Sequence, residues 1–224
     1  MGKIVLATII ISGSAKWLLK VGGNKEKWYG SDRIFMYVMT VFGAMTVNYS
    51  EQCTEYGWVV SNLRLLAGCL LAGGLLSAAY MDRRNCWVYN YVWWWCLPWA
   101  GILGMTAGGE FSGIVAVLVF VMLQQLLFSR MYGKADCHAF SVCALAECGN
   151  AVGMVGFLLQ MFLSVVLLTI VQLFRGNVTP RGRLREPQPF IPYIITAFFS
   201  VMFLESVFRT TYIYAYRVKF LSVE

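Results

Sequence analysis

Four ionisable side chains stand inside or at the ends of long apolar runs: Arg64, Asp82, Asp136 and Glu205. Ionisable groups at membrane depth are rare and mark functional candidates by default. Asp82 closes an apolar run over 58–81, and Asp136 opens a shorter one over 137–148, with two further runs between them. A chain that crosses a membrane twice returns to the side it left, so both carboxylates belong on one face at similar depth. Two acids so placed can share one proton, one ionised to activate water and the other protonated to polarise a carbonyl. The plainer reading makes each a helix-boundary acid, with Asp82 neutralised by Arg83 and Arg84, because acids near the interface cost far less than acids at mid-membrane.

The other candidates point to structure. Arg64 and Glu205 lie inside spans toward the opposite side, where pairing lowers the cost of burying either, and they read as a structural ion pair. His138 is the only histidine, and the seven cysteines form no CxxC pair. Cys137, Cys143 and Cys148 have no recognised ligand spacing, so neither a metal site nor a disulfide framework is expected. His138 reads as a polar residue at the mouth of the site. The run Tyr91-Val92-Trp93-Trp94-Trp95 fits an interfacial aromatic belt or a substrate contact. Gly68, Ala72, Gly73 and Gly74 fit close helix packing.

The elements that must position these groups follow from composition. Of 224 residues 59% are hydrophobic and 13% charged, against about 45–50% and about 25% in soluble domains. That excludes an ordinary soluble enzyme. Runs such as GIVAVLVFVMLQQLLF lack the period-two alternation of a lipid-facing barrel strand, so the expected class is an all-α, polytopic helical membrane protein. Apolar runs over 4–19, 34–49, 58–81, 87–106, 112–130, 137–148, 151–174 and 190–208 give about 7–8 membrane segments in a single membrane domain, 1–224. The run 137–148 is too short to cross alone. Segments 20–33, 82–86, 130–136 and 175–189 are basic, whereas the alternate loops and flanks hold Glu51, Glu55, Glu110 and Glu147 without Lys or Arg. The positive-inside rule makes the basic side cytoplasmic. The net charge of +7 is then an orientation signal rather than a nucleic-acid footprint. Arg209, Arg217 and Lys219 oppose this count, so either the tail turns back along the interface or the last span is drawn wrongly. The first run, despite a faint likeness to a signal peptide, is expected to remain as a helix.

Around the two aspartates the sequence resembles the prepilin peptidase family, the GxGD-type intramembrane aspartic proteases. Asp82 is followed by a short basic turn and then Val88-Tyr89-Asn90, where the family has Ile-Pro-Asn. Gly133-Lys134-Ala135-Asp136 occupies the GxGD position, with Ala135 in place of the second glycine. His138 falls where the family commonly has Lys. Pro189-Phe190-Ile191-Pro192-Tyr193 resembles the Ile-Pro-Phe that opens the family's last helix. The likeness covers 58–208, leaving 1–57 as additional membrane segments.

The resemblance implies that Asp82 and Asp136 are a catalytic pair, supported by Gly133 and Ala135. They would cut the basic leader from prepilin-like or pseudopilin precursors at the cytoplasmic face of the plasma membrane, in type IV pilus assembly or protein secretion. Larger family members add a zinc-binding domain with paired CxxC motifs and methylate the new amino terminus. This chain has neither CxxC pair, so the short, peptidase-only form is the comparison and no cofactor or metal is expected. The expected partners are precursor proteins and membrane lipid, with no nucleic acid. A non-catalytic assembly or scaffold protein of the same fold is the alternative, kept open by Tyr89, Ala135 and His138.

Overall fold

A backbone in hydrocarbon must satisfy its own hydrogen bonds, and long unalternating apolar runs do so as helices. The computed structural model describes residues 2–23, 30–52, 57–107, 111–127, 133–148, 153–175 and 188–221. Among these, every regular element is an α-helix: α1 Gly2–Val21, α2 Gly30–Gln52, α3 Trp58–Asn85, α4 Asn90–Thr106, α5 Phe111–Leu127, α6 Lys134–Glu147, α7 Gly153–Phe174 and α8 Ile191–Leu221. Helices α1 and α3, Met154–Phe174 of α7 and Ile191–Phe208 of α8 are each long and apolar enough to cross a membrane. At about 1.5 Å per residue, the 14-residue α6 falls short of a hydrocarbon core about 30 Å thick. Exposed apolar side chains such as Leu118, Met122 and Leu126 on α5, and Val155, Leu158 and Phe162 on α7, match hydrocarbon better than water.

Helix α3 is the hub, packing against α1, α2, α4 and α8. Its small residues explain how one helix meets so many neighbours. A Cβ on Gly68 would strike Val47 of α2 at 2.7 Å. One on Gly73 would collide with Ser14 and with the Ile11 carbonyl of α1, and one on Gly74 with Cys96 of α4. Three glycines thus admit three different helices. Ser77 extends the α1 contact by donating to the Ala15 carbonyl at 3.2 Å.

Two boundaries differ from expectation. The segment 82–86, read as a basic loop, is largely the last turn of α3, which ends at Asn85. Cys86 stops it in a left-handed conformation, φ 49°, with its N–H bonded to the Asp82 carbonyl at 2.8 Å. At the other end of the chain, α8 runs unbroken to Leu221, so the tail neither turns back nor begins at 208. The basic segment expected over 175–189 lies mostly outside the described residues.

Candidate active site

Where α3 ends, three other helices begin. The last turn of α3 and the link 86–89 meet the first turns of α4, α6 and α8 around a cavity of about 740 Å³. Asp82 and Asp136 both line it, with Val88, Asn90, Trp93, Lys134, His138 and Phe190 among the other walls. The carboxylates are near enough for the charge of Asp136 to act on Asp82. Converging helix N-termini carry partial positive charge, which favours carboxylates at this end of the bundle.

Asp82 is buried, 7% exposed, on the inner face of α3. Its Oδ2 accepts the backbone N–H of Ile191 at 3.0 Å, so an acid of α3 caps the first turn of α8 across 109 residues of sequence. Pro192 suits the second position of that helix, because first-turn N–H groups lack intrahelical partners anyway. Phe190 fixes the approach by edge packing on Phe140, 5.8 Å between ring centres. The arginines beside Asp82 turn elsewhere, which corrects the expectation that they neutralise it. Arg83 bonds Asp32 of α2 at 3.0 Å and lies over the Phe35 ring. Arg84 donates to Tyr80 at 2.9 Å.

Asp136 is the third residue of α6 and folds back on its own helix, Oδ2 accepting the Gly133 N–H at 3.2 Å. This is half of a capping box, since Gly133 has no side chain to return the bond. Gly133 serves by its smallness: an added Cβ would meet Asp136 Oδ2 at 3.2 Å. Ala135 lies within the helix, where the conformational freedom of a second glycine is not needed. Burial pushes the Asp136 carboxyl up to about 6, with the Gly133 hydrogen bond pulling the other way.

The Trp run divides by face. Trp93 is buried against the cavity, Trp94 is exposed, and Trp95 packs on Trp17 of α1 with ring centres 5.1 Å apart. At the opposite end of the bundle, Arg64 donates to Leu103 O and Thr106 Oγ1 of α4, both at 3.0 Å, so its bonds tie α3 to α4. Glu205, on α8, lies near Glu147, close enough for its charge to act on that carboxyl. Glu147, counted from sequence among the loop flanks, is buried at the end of α6, and neither of its carboxyl oxygens has a hydrogen-bond partner among the described residues. No cluster of three metal-ligating side chains occurs among the described residues.

Sequence reasoning did not assign the Ile191 N–H to Asp82, or Val88 to the cavity wall, and it left Trp93 between an aromatic belt and a substrate contact. The Pro-containing start of α8 was the available signal for the first. No family model, curated protein or solved structure matches the chain.

Proposed function

We propose that the chain is an intramembrane aspartic endopeptidase that removes the basic leader of prepilin-like precursors at the cytoplasmic face of the plasma membrane. The observation that carries this reading is the single cavity lined by both Asp82 and Asp136. The local likeness to prepilin peptidases supplies the substrate class. One aspartate, ionised, takes a proton from water as its oxygen attacks the scissile carbonyl. The other, protonated, hydrogen-bonds the developing oxyanion. Collapse breaks the C–N bond, and the leaving amine takes up a proton. The acids titrate as a pair, so the roles belong to the pair.

A second reading, a non-catalytic scaffold, is favoured by a specific observation: each carboxylate already accepts a helix-terminal N–H. Co-expression with pilin-like precursors separates the two. Wild type shortens the precursor, and Asp82→Asn or Asp136→Asn each stops it. Cleavage persisting in both variants eliminates the aspartic mechanism; wild type that cleaves no such precursor leaves the scaffold.

A further inference from the structure

His138 stands two residues beyond Asp136 on α6 and lines the carboxylate cavity. It also lines a pocket of about 300 Å³ between α4 and α6, which shares Asn90 and Trp93 with that cavity. The ring is held from α5. Gln125 Nε2 lies 3.4 Å from His138 Nδ1 and 3.0 Å from Ser141 Oγ. Ser141 has one hydroxyl proton, and it goes to the Cys137 carbonyl at 2.8 Å. With that proton placed on Cys137, the Ser141 oxygen is an acceptor, and Gln125 presents its amide NH2 rather than its carbonyl to this corner. The amide nitrogen then faces His138 Nδ1, and that contact is a hydrogen bond when Nδ1 carries a lone pair. An imidazole that accepts at Nδ1 is neutral and keeps its proton on Nε2. Burial, and then Lys134 one turn earlier on the same helix face, disfavour an imidazolium there. The Trp93 ring, 6.1 Å away between centres, packs beside the imidazole.

The two ring nitrogens point apart, so a bond to α5 at Nδ1 turns Nε2 away from α5. We propose that His138, held as the Nε2–H tautomer by Gln125, donates a hydrogen bond to the main-chain carbonyl of a peptide lying in the cavity. It then acts on the substrate beside Asp82 and Asp136. This rests on the peptidase reading of the two acids. A fixed donor is worth most where negative charge develops on a carbonyl oxygen, while the aspartates handle water and protons.

His138 is the only histidine, so ¹⁵N-histidine labelling of the full chain in nanodiscs, purified without a histidine tag, reports this one ring. At neutral pH the expected spectrum has a protonated Nε2 and an unprotonated Nδ1, and Gln125→Leu mixes the tautomers. An Nδ1–H ring or an imidazolium in the wild type overturns the proposal whatever the chain cleaves. In the precursor assay, His138→Leu lowers kcat about 100-fold with a smaller change in KM, and His138→Gln, which keeps an amide donor, recovers part of the loss. Full turnover by His138→Leu where Asp82→Asn is inactive overturns the donor role and leaves the peptidase intact. No cleavage by wild type, with the Nε2–H tautomer present, overturns the peptidase reading and the donor role with it.

Discussion

Replacing Asp82 separates its capping bond from its chemistry, because the two substitutions that remove the charge differ in what they leave for Ile191. In Asp82→Ala the Ile191 N–H, bonded at 3.0 Å in a buried site, loses its acceptor. An orphaned buried donor costs about 1–3 kcal/mol. For a chain of this length each kcal/mol moves the melting temperature by about 2–4 °C, so the alanine variant should melt roughly 2–12 °C below wild type. Asp82→Asn keeps a carbonyl oxygen in nearly the same place, and an amide caps a helix about as well as a carboxylate. It should therefore melt within about 2 °C of wild type while cleavage falls on the order of 10³-fold. Thermal unfolding in detergent and precursor cleavage by gel, run on the same preparations, read both quantities. An asparagine variant that melts as early as the alanine variant would refute the capping bond. One that cleaves at the wild-type rate would refute the catalytic carboxylate.

The remaining predictions concern Asp136, Glu147, Cys86 and Gly73. The Asp136 carboxyl is held up at about 6 against 3.8 for a free group. Its contribution is fully present below pH 3.8 and is lost as pH rises through 6, so native stability should decline across that window and Asp136→Asn should flatten the decline in pH-dependent melting. Glu147→Met replaces a buried carboxyl whose oxygens lack partners among the described residues with an apolar chain of similar size. The melting temperature should stay level or rise, and a large fall would show that Glu147 has an ionic partner. Cys86 holds φ at 49°, which costs an L-residue about 1–2 kcal/mol. Cys86→Gly should therefore raise the melting temperature by a few degrees, and a fall would mean the thiol packs usefully. Gly73→Val would drive a side chain into Ser14 and the Ile11 carbonyl; loss of membrane-extracted folded protein, measured by size exclusion, is expected, and normal yield would contradict the α1–α3 contact.

The helices were legible because hydrocarbon leaves a chain few options. Long apolar runs marked α1, α3, α7 and α8, and the shortness of α6 was visible in 137–148. The expectation that two crossings return Asp136 to the side of Asp82 agrees with a cavity that both acids line. Partnerships were harder to read, because they depend on which helix faces which. Nothing local to Arg83 distinguishes Asp32, on another helix, from the adjacent Asp82. The carbonyl and hydroxyl of α4 to which Arg64 donates were not legible either, because charge counting ignores neutral acceptors. Glu147 looked like a loop acid because its burial comes from neighbouring helices rather than from its own segment. The extent of α3 was missed for a local reason: the charges of Asp82, Arg83 and Arg84 end an apolar run, but they do not end a helix. The break falls at Cys86, whose left-handed backbone carries no strong residue signal.

Capping and catalysis make compatible demands on the two acids. A general acid–base pair must be held in fixed geometry by rigid elements, and a hydrogen bond from a helix N-terminus is such a hold. Asp82 is fixed between the end of α3 and the start of α8, Asp136 at the start of α6. The Gly133 bond favours the ionised form of Asp136, whereas burial opposes its ionisation. For Asp136 burial is the larger effect, which brings a carboxyl toward the neutral range in which it can exchange a proton with water. A scaffold would need only the caps, and an asparagine amide would cap Ile191 about as well as Asp82 does. Holding one buried and one half-buried carboxylate around one cavity is the costlier arrangement, and under the proposed peptidase reading proton transfer between water and peptide gives it a chemical reason.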